Sequence, residues 1–421
     1  MTVPGSKSES NRALVCASLA NGESRLHGVA DGDDTERMMA AIALLGAEVD
    51  SKDRMVRVRG PIDRSSTASV VLDAGLAGTT SRFLTAVAAL RRGRTTVTGE
   101  AGLQARPMGE LHRLVRELGA VLESSREGFL PVSVQGVESD HVQRGTSERV
   151  LTARGDVSSQ FISAVMMVAP LLGGVRIRID GDVVSRDYLE MTSTVMQAFG
   201  ATVDVGKNEI HVWDGEYRAT EFFVDADWSS ASYAFAAAAI AGGSVRVPHL
   251  RMESSQPEAG FVGVLEAVGC SVRDLGGEQG VVVSRDPSVG LRGAEFDMAS
   301  MSDLVPTLAV IAACAETPTV IRGVGFIRAK ESDRLGDLAA ELQQCGAKVA
   351  VLPDGLRIEP NGLRTAVISP HDDHRLAMSL SLLGLRTSGI TVKDHAVVSK
   401  SWPHFWTAMS TGLGIGLVES L

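Results

Sequence analysis

Short polar motifs directly before apolar helical segments contain the residues of this sequence that could do chemistry. Four of these residues are cations in the first turns of predicted buried helices: Lys7, Arg12, Arg82 and Arg375. A cation is unfavourable at the positive end of a helix dipole unless an anion lies between the two. Free backbone N–H groups, the dipole and a nearby Lys or Arg together form an anion site. These motifs therefore predict the binding of anions.

The starts of a second set of helices add further cations. Arg106 stands in ARPMGEL, Lys330 and Arg334 stand in AKESDRL, and Lys400 stands in VVSKSWP. If equivalent helix starts face one cleft, eight cations converge there, although the formal net charge of the chain is −10. This arrangement predicts a site for two anionic ligands, or for one ligand with several phosphate or carboxylate groups.

Two carboxylates belong to the same motifs. Asp303 precedes the fifth buried helix, and Glu331 lies between Lys330 and Arg334. They are either counter-ions of the cations or a general acid and base whose pKa values differ because their surroundings differ. The sequence alone leaves both interpretations open. A structural interpretation also exists for the Ser, Thr and Asp residues at these positions, since they are ordinary N-caps.

The buried helices belong to a unit that occurs six times. Each copy is an apolar helix, a short turn and a β-rich strand, repeated about every 70 residues. The predicted strands start near Ser24, Thr95, Val175, Ser244, Thr319 and Thr391. Helices that are apolar on nearly all sides are buried, so each of these helices is expected inside a domain.

A second unit alternates with the first: an amphipathic helix, a glycine, a small residue and a short strand. Glycine suits the left-handed position that ends a helix. The predicted helix-ending glycines are Gly46, Gly119, Gly200, Gly269 and Gly346. The sixth copy lacks a matching strand after the helix in WPHFWTAMSTGLG. Six βαβαβ-type repeats are too many for one small core, so we expect two α/β domains of three repeats, divided within the polar stretch 214–227.

Composition excludes several classes of protein. Of the 421 residues, 44% are apolar and 22% are charged, which is typical of a globular protein. The negative net charge disfavours a protein that coats nucleic acid, and no apolar run reaches the roughly 18 residues of a membrane span. The N-terminus lacks the apolar core of a signal peptide, so a cytoplasmic location is expected. Four widely spaced cysteines without a C-x-x-C pair predict reduced, structural thiols.

At these motifs the sequence resembles the 5-enolpyruvylshikimate-3-phosphate (EPSP) synthase family of enolpyruvyl transferases, over residues 4–405. Two of the motifs that carry this resemblance, PGSKSESNRAL and KESDRL, are highly specific for the family, whereas SSQ alone would be a weak signal. The resemblance is based on PGSKSESNRAL (4–14), AGTTSRFL (77–84), RPMGEL (106–111), SSQF (158–161), GDVVSRDYL (181–189), SDLVPTLAV (302–310), KESDRL (330–335) and DHRLAM (373–378).

The resemblance implies both a fold and a reaction. The fold is a two-domain inside-out α/β barrel with buried parallel helices, with residues 8–225 in one domain and residues 1–7 plus 226–421 in the other. The domains are expected to close over a cleft, with hinges near 4–8 and 225–228. The reaction transfers the enolpyruvyl group of phosphoenolpyruvate to the 5-hydroxyl of shikimate 3-phosphate and releases phosphate, on the shikimate pathway to chorismate and aromatic amino acids. It implies no cofactor, no metal and no partner other than these substrates, and a monomer is expected.

The resemblance also implies roles for individual residues. The residues implied to bind shikimate 3-phosphate are Lys7, Ser8, Arg12, Ser158, Ser159, Gln160, Ser185, Tyr188, Asp303 and Lys330. Those implied to bind phosphoenolpyruvate are Lys7, Gly78, Arg106, Gln160, Arg334, Arg375 and Lys400. Asp303 is implied to take the 5-hydroxyl proton, and Glu331, with Lys330, to protonate the methylene carbon. Lys7 is also implied to be catalytic.

Two positions depart from the family pattern. Leu76 stands where many members have Asn, and Phe326 stands where Asn or His is common. The resemblance further implies that glyphosate competes with phosphoenolpyruvate. Gly78 leaves room for that inhibitor, whereas Leu76 or Phe83 could reshape the pocket.

Three alternatives are weighed against this interpretation. A UDP-N-acetylglucosamine enolpyruvyl transferase usually has a reactive Cys shortly before an Arg-Pro motif, and residues 99–107 contain none. A non-catalytic anion-binding relative is disfavoured because Asp303, Glu331 and the cations are all present. A metal site at His371–His374 is disfavoured because four adjacent ligands cannot easily converge on one ion.

Overall fold

The computed structural model describes residues 1–52, 54–137, 149–181, 183, 185–414 and 416, and the chain divides into two compact units. The N-terminal unit is Lys7–Val224. The C-terminal unit combines Met1–Ser6 with Asp225–Leu421. Its first segment is held by the bridge between Gly5 and Ala226, and by a backbone hydrogen bond of 2.8 Å from Ser6 N to the carbonyl of Asp225. Asp182 and Val184 of the GDVVSRDYL motif lie outside the described residues.

The N-terminal unit alternates helices and strands throughout its described residues. Its helices are α1 (Lys7–Leu19), α2 (Asp33–Leu44), α3 (Gly78–Ala88), α4 (Ala101–Gln104), α5 (Gly109–Glu117), α6 (Ser159–Val168) and α7 (Asp187–Ala198). Its strands are β1 (Gly22–His27), β2 (Glu48–Lys52), β3 (Met55–Gly60), β4 (Val70–Asp73), β5 (Thr95–Thr98), β6 (Val121–Ser124), β7 (Val132–Gln135), β8 (Val150–Arg154), β9 (Val175–Asp180), β10 (Val203–Val205), β11 (Glu209–Val212) and β12 (Glu221–Phe223).

The C-terminal unit repeats the same alternation. Its helices are α8 (Trp228–Ala241), α9 (Phe261–Ala267), α10 (Val305–Ala313), α11 (Gly336–Gln344), α12 (His374–Ser381) and α13 (Phe405–Leu413). Its strands are β13 (Gly243–Val247), β14 (Ser271–Asp274), β15 (Val281–Arg285), β16 (Glu295–Asp297), β17 (Thr319–Arg322), β18 (Lys348–Leu352), β19 (Gly355–Glu359), β20 (Ala366–Ile368) and β21 (Ile390–Val392). The last helix, α13, belongs to the sixth copy of the repeat.

The four-stranded sheets share one plan. In each sheet, the strand that follows a buried helix pairs in parallel with one edge strand and antiparallel with a hairpin on its other side. The orders are β12-β1-β3-β2, β4-β5-β7-β6 and β10-β11-β9-β8 in the N-terminal unit, and β16-β17-β19-β18 in the C-terminal unit. The shared plan shows that the sequence repeats are structural repeats. Their strands begin within two residues of the predicted positions.

The helices predicted to be buried are buried. In α8, every residue except the last is buried, and in α10 all are buried, so these helices supply the core of the C-terminal unit. The helices of the second set are amphipathic: α5 buries Leu111 and Leu114 but leaves Arg113 partly exposed. The glycines predicted to end the second-set helices all have φ between 88° and 106°. That left-handed conformation lets the chain turn directly from helix to strand.

All four cysteines are free thiols, as predicted. Burial raises the pKa of Cys16 to about 12, so this thiol is protonated at neutral pH. Within the described part of the chain, none of the helices combines the length and the hydropathy that crossing a bilayer requires.

Candidate active site

Seven charged side chains gather at helix starts within the C-terminal unit, and we call them the C-terminal cluster. Asp303 lies in a single helical turn just before α10, and Glu331 and Arg334 lie just before α11. Asp373 is the N-cap of α12, because its carboxylate accepts a 2.9 Å hydrogen bond from the backbone N–H of Arg375. The cluster consists of Asp303, Lys330, Glu331, Arg334, Asp373, Arg375 and Lys400.

Arg334 is the centre of the C-terminal cluster, and its side chain is only 1% exposed. Its guanidinium lies 2.6 Å from the carboxylate of Asp373, 2.8 Å from that of Asp303 and 2.7 Å from that of Glu331. Burial would lower the pKa of Arg334, but the three carboxylates outweigh burial and raise it above its ordinary value. Arg334 is therefore a permanent cation with all sides of its planar fork occupied.

Asp303 accepts from two guanidinium groups and lies near an ammonium group. Its carboxylate is 2.8 Å from Arg334 Nη1, 2.8 Å from Arg375 Nη2 and 3.5 Å from Lys330 Nζ. Burial would raise the pKa of Asp303, but Arg375, Lys330 and Arg334 together hold it well below the ordinary value. The carboxylate is consequently ionised at neutral pH and able to accept a proton.

Glu331 joins the opposite side of the cluster. Its carboxylate is 2.7 Å from Arg334 Nη2 and 3.4 Å from Lys400 Nζ, and the Lys400 side chain is 6% exposed.

Lys330 Nζ lies 6.0 Å from the centre of the Phe326 ring. The cluster as defined contains four cations and three carboxylates. It therefore carries a net positive charge that can bind an anion.

The N-terminal unit holds the remaining predicted residues at or near the starts of α1, α3, α5, α6 and α7. Lys7 opens α1, and its ammonium group lies 3.0 Å from the carboxylate of Asp34 in the first turn of α2. The Thr80 hydroxyl donates a 2.9 Å hydrogen bond to the backbone carbonyl of Asp34, which links α2 to α3. The starts of α1, α2 and α3 therefore lie together within this unit.

Arg12 is almost fully buried, and its contacts reach three other helices. Its Nε donates to the Thr192 hydroxyl at 2.7 Å, and its Nη1 donates to the carbonyl of Ser8 at 2.9 Å. The guanidinium carbon lies 5.3 Å from the ring centre of Phe83 and 5.8 Å from that of Tyr188. Aromatic faces and hydroxyls help to hold the cation in place.

Gly78, Arg82, Arg106 and Gln160 form a second group of neighbours in the N-terminal unit. Arg82 donates a hydrogen bond to the side-chain oxygen of Gln160, and Gln160 Nε2 donates to the Thr79 hydroxyl at 3.2 Å. A Cβ atom on Gly78 would lie 3.1 Å from Arg106 Nη1 and 3.7 Å from Arg82 Nη1. The absence of a side chain at Gly78 therefore lets two guanidinium groups approach the start of α3.

Ser158, Ser159, Ser185 and Tyr188 flank these groups. Ser158 is the N-cap of α6, and its hydroxyl accepts from the backbone N–H of Gln160 at 3.3 Å, while Ser159 is buried. Ser185 has a positive φ of 56°, and its carbonyl accepts from the backbone N–H of Tyr188 at 3.2 Å. We call the predicted residues of this unit, with Arg82, the N-terminal cluster: Lys7, Ser8, Arg12, Gly78, Arg82, Arg106, Ser158, Ser159, Gln160, Ser185 and Tyr188.

Each unit thus brings its own predicted residues together. The prediction that all eight cations meet at one cleft concerns both units and stays a prediction. Sequence reasoning missed Asp373, Asp34 and Thr192 as parts of these clusters. Asp373 carried a usable signal, since an Asp before an apolar helix and two residues before an Arg is a strong N-cap candidate. Asp34 and Thr192 lack such a signal, because only the tertiary fold brings them to Lys7 and Arg12.

The side chains of residues 371–374, weighed above as a metal site, do not share one partner. His371 lies 2.9 Å from Glu341, whereas Asp373 binds Arg334 and caps α12. Among the described residues, the structure contains no group of His, Cys, Asp and Glu arranged to hold a metal ion.

Comparisons with known proteins match nearly the whole chain. The family profile for EPSP synthase (3-phosphoshikimate 1-carboxyvinyltransferase) matches residues 1–409. The chain belongs to this family. A 3-phosphoshikimate 1-carboxyvinyltransferase from Methanosphaerula palustris is 41% identical over 98% of this chain and 96% of the relative. One from Nostoc sp. is 36% identical over 96% of this chain and 94% of the relative.

The fold comparison agrees with the family assignment. The EPSP synthase from Acinetobacter baumannii superposes with a TM-score of 0.79 at 27% identity, covering 97% of this chain and 94% of that one. The predicted inside-out two-domain α/β fold and the predicted family are therefore confirmed. The protein is an enolpyruvyl transferase that joins phosphoenolpyruvate to shikimate 3-phosphate in the shikimate pathway, the route to chorismate and aromatic amino acids. This result decides against the UDP-N-acetylglucosamine enzyme and against a relative without catalytic activity.

Proposed function

We propose that the two clusters divide the work of this reaction, with the C-terminal cluster moving protons and the N-terminal cluster holding shikimate 3-phosphate. The observation that carries the proposal is the arrangement around Arg334. Two carboxylates suited to proton transfer, Asp303 and Glu331, lie on opposite sides of one buried guanidinium. The proposal requires both clusters to meet the same pair of substrates.

The N-terminal cluster suits a phosphorylated, hydroxylated ring. Ser158 and Ser159 offer hydroxyls to the 3-phosphate, and the start of α6 offers the positive end of a helix dipole. Arg12 supplies a charge that the Thr192 hydroxyl helps to orient, and Tyr188 supplies an aromatic face. Ser8, Gln160 and Ser185 complete the polar contacts in this proposal. Asp303 and Lys330 reach the ring from the C-terminal cluster.

Phosphoenolpyruvate carries a carboxylate and a phosphate, so its site needs several cations. The proposed clamp consists of Lys7, Gly78, Arg106, Gln160, Arg334, Arg375 and Lys400. Gly78 contributes space, because a Cβ there would lie 3.1 Å from Arg106. Four of the cations now contact carboxylates: Lys7 contacts Asp34, Lys400 contacts Glu331, and Arg334 and Arg375 contact Asp303. An anionic substrate must therefore compete with these internal counter-ions.

That competition supports Asp303 as the general base. A carboxylate held by Arg334, Arg375 and Lys330 has a depressed pKa and is a weak base. When phosphoenolpyruvate engages the same cations, Asp303 shares less of their charge, and its pKa rises. The base thus gains strength when the acceptor of the new C–O bond is bound. Asp303 then takes the 5-hydroxyl proton as the hydroxyl oxygen attacks the enol carbon.

Glu331 is the proposed acid. It protonates the methylene carbon as the C–O bond forms, with Lys330 assisting, and a tetrahedral intermediate results. Glu331 then takes a proton back from the methyl group as the C–O bond to phosphate breaks, and the double bond is restored. The proton held by Asp303 passes to the departing phosphate, which completes the transfer and returns both carboxyl groups to their starting states. Lys400, 3.4 Å from Glu331, compensates the charge of the carboxylate once its proton has left.

A coupled assay of phosphate release tests the whole proposal. With both substrates present, purified protein should release phosphate continuously, and omission of either substrate should stop release. Release from phosphoenolpyruvate alone would show a hydrolase and contradict the proposal. Replacement of shikimate 3-phosphate by UDP-N-acetylglucosamine is the matched control and should give no release.

We further propose that the protein acts as a cytoplasmic monomer and that glyphosate competes with phosphoenolpyruvate. The Gly78 space beside Arg106 supports the second statement, since the inhibitor is also a small anion with a carboxylate and a phosphonate. Glyphosate should raise the KM for phosphoenolpyruvate without changing kcat. Unimpeded turnover at saturating glyphosate would show that Leu76 or Phe83 has closed this space. Sedimentation at several protein concentrations tests the monomer.

A further inference from the structure

The turn that leads into α12 has an unusual backbone. His371 and Asp372 have positive φ values of 51° and 56°. Two successive non-glycine residues in this region persist only where surrounding contacts hold them. The residues that follow are Asp373, which binds Arg334 at 2.6 Å, and Arg375, which binds Asp303 at 2.8 Å. The conformation of this turn therefore decides where two members of the C-terminal cluster lie.

A single buried carboxylate in α11 holds this turn. Glu341 is 5% exposed. Its Oε2 accepts a 3.1 Å hydrogen bond from the backbone N–H of Ser369, and its Oε1 lies 2.9 Å from Nε2 of His371, which donates to it. Asp337, one turn earlier in α11, lies 3.9 Å from the other ring nitrogen of His371. Glu341 thus holds the turn at two points: at Ser369, where the turn begins, and at His371, which has a left-handed backbone conformation.

The same helix also fixes the partner of Asp373. Arg334 lies two residues before Gly336, where α11 begins, and Glu341 lies in the middle of that helix. The α11 helix therefore positions both partners of the Arg334–Asp373 contact. It positions Arg334 directly, because Arg334 precedes its first residue, and it positions Asp373 through Glu341. A loss of Glu341 would release the turn while leaving every charge of the cluster present.

We propose that Glu341 is a positioning residue for phosphoenolpyruvate binding, which it supports by holding His371 and Ser369 so that Asp373 faces Arg334 and Arg375 faces Asp303. This inference rests on the proposed role of Arg375 in binding phosphoenolpyruvate. Glu341 acts through the turn and contacts no substrate. Its effect should fall on phosphoenolpyruvate, whose clamp includes Arg375, and not on the contacts that the N-terminal cluster makes with shikimate 3-phosphate.

The first experiment compares Glu341→Ala with wild type by steady-state kinetics and by calorimetric titration with shikimate 3-phosphate. The KM for phosphoenolpyruvate should rise about tenfold or more, because displacement by about an ångström at a reacting group has effects of this size. The Kd for shikimate 3-phosphate should stay within about twofold. Glu341→Gln, which keeps an acceptor for Ser369, should recover most of the lost affinity. Glu266→Ala on α9, the equivalent helix of the preceding repeat, removes an exposed Glu and should change neither constant.

The second experiment separates this inference from the proposed function. If Arg375→Ala leaves the KM for phosphoenolpyruvate unchanged, the proposed clamp is wrong whatever Glu341 does. If Arg375→Ala raises that KM and Glu341→Ala does not, the positioning role is wrong. In the double variant, Glu341→Ala should add less than about twofold to the effect of Arg375→Ala, since both act through one group. If Glu341→Ala does not fold, His371→Ala takes its place with the same two outcomes.

Discussion

The arginines of the two clusters have different partners, although Lys7 of the N-terminal cluster also contacts a carboxylate, that of Asp34. In the C-terminal cluster, Arg334 and Arg375 are fixed by carboxylates at 2.6 to 2.8 Å. In the N-terminal cluster, Arg12 is fixed by a hydroxyl, a carbonyl and two aromatic faces, and Arg82 by the amide of Gln160. Hydroxyls, carbonyls and aromatic faces orient a cation. Carboxylate partners can also accept and deliver protons, which is why we propose that the acid and the base belong to the C-terminal cluster.

The largest expected effect belongs to Asp303→Ala. Removal of the base should lower kcat about 1,000-fold, within the range for general acid–base groups. Binding of shikimate 3-phosphate, measured by calorimetric titration, should persist. Asp34→Ala, which removes from Lys7 a carboxylate that competes with the substrate, is the control from the other unit and should change kcat by at most about tenfold. The comparison breaks if Asp303→Ala turns over normally, or if both variants lose activity equally.

Next in size are Arg375→Ala and Lys7→Ala. Loss of one charge-assisted contact should reduce kcat/KM about 100-fold, or about 3 kcal/mol of transition-state stabilisation. Arg375→Ala should act on phosphoenolpyruvate alone, whereas Lys7→Ala should weaken both substrates. Steady-state kinetics with each substrate varied in turn distinguishes the two patterns. Wild-type kcat/KM in either variant would remove that residue from the site.

The two units should also differ in their response to acid. His112 in α5 is fully buried, and burial, followed by nearby Arg116, lowers its pKa to about 4. An unfolded His binds its proton near pH 6.5, so the unfolded state binds more protons between pH 6.5 and pH 4. The free energy of unfolding should therefore fall as the pH is lowered from 6.5 to 4, by at most about 3 kcal/mol. Asp303 responds elsewhere: its pKa is depressed, so its contribution is lost only as the pH falls below about 4.

Thermal unfolding as a function of pH checks this difference. His112→Phe should flatten the dependence of the melting temperature between pH 6.5 and pH 4, while Asp303→Asn should leave that interval unchanged. A His112→Phe protein with the full wild-type slope would show that another group titrates there.

The smallest effect is expected for Gly78→Ala. The added Cβ would lie 3.1 Å from Arg106 Nη1, so the guanidinium must move by a few tenths of an ångström. The KM for phosphoenolpyruvate should rise about tenfold, with little change for shikimate 3-phosphate. Ala77→Gly, one residue earlier and at the N-cap of α3, provides a control for backbone flexibility. An equal effect of the two variants would mean that flexibility, and not the approach of Arg106, governs binding.

The sequence predicted the repeats because their signals are local. Apolar helices, C′ glycines and turns recur at fixed spacing, so α8 and Gly346 could be assigned from their neighbours alone. The predicted helix starts likewise contain the cations of both clusters. Pairings across long separations could not be predicted: Arg12 meets Thr192, 180 residues away, and Arg375 meets Asp303, 72 residues away. Such contacts depend on how the repeats pack, which no short motif encodes.

The bridge between Gly5 and Ala226 has a consequence for protein engineering. The chain leaves the C-terminal unit after Ser6 and returns to it at Asp225, and these two residues are hydrogen-bonded to each other. Residues 7–224 are thus an insertion whose two ends are neighbours. Such an insertion can be excised, replaced by a short linker or made the starting point of a circular permutant.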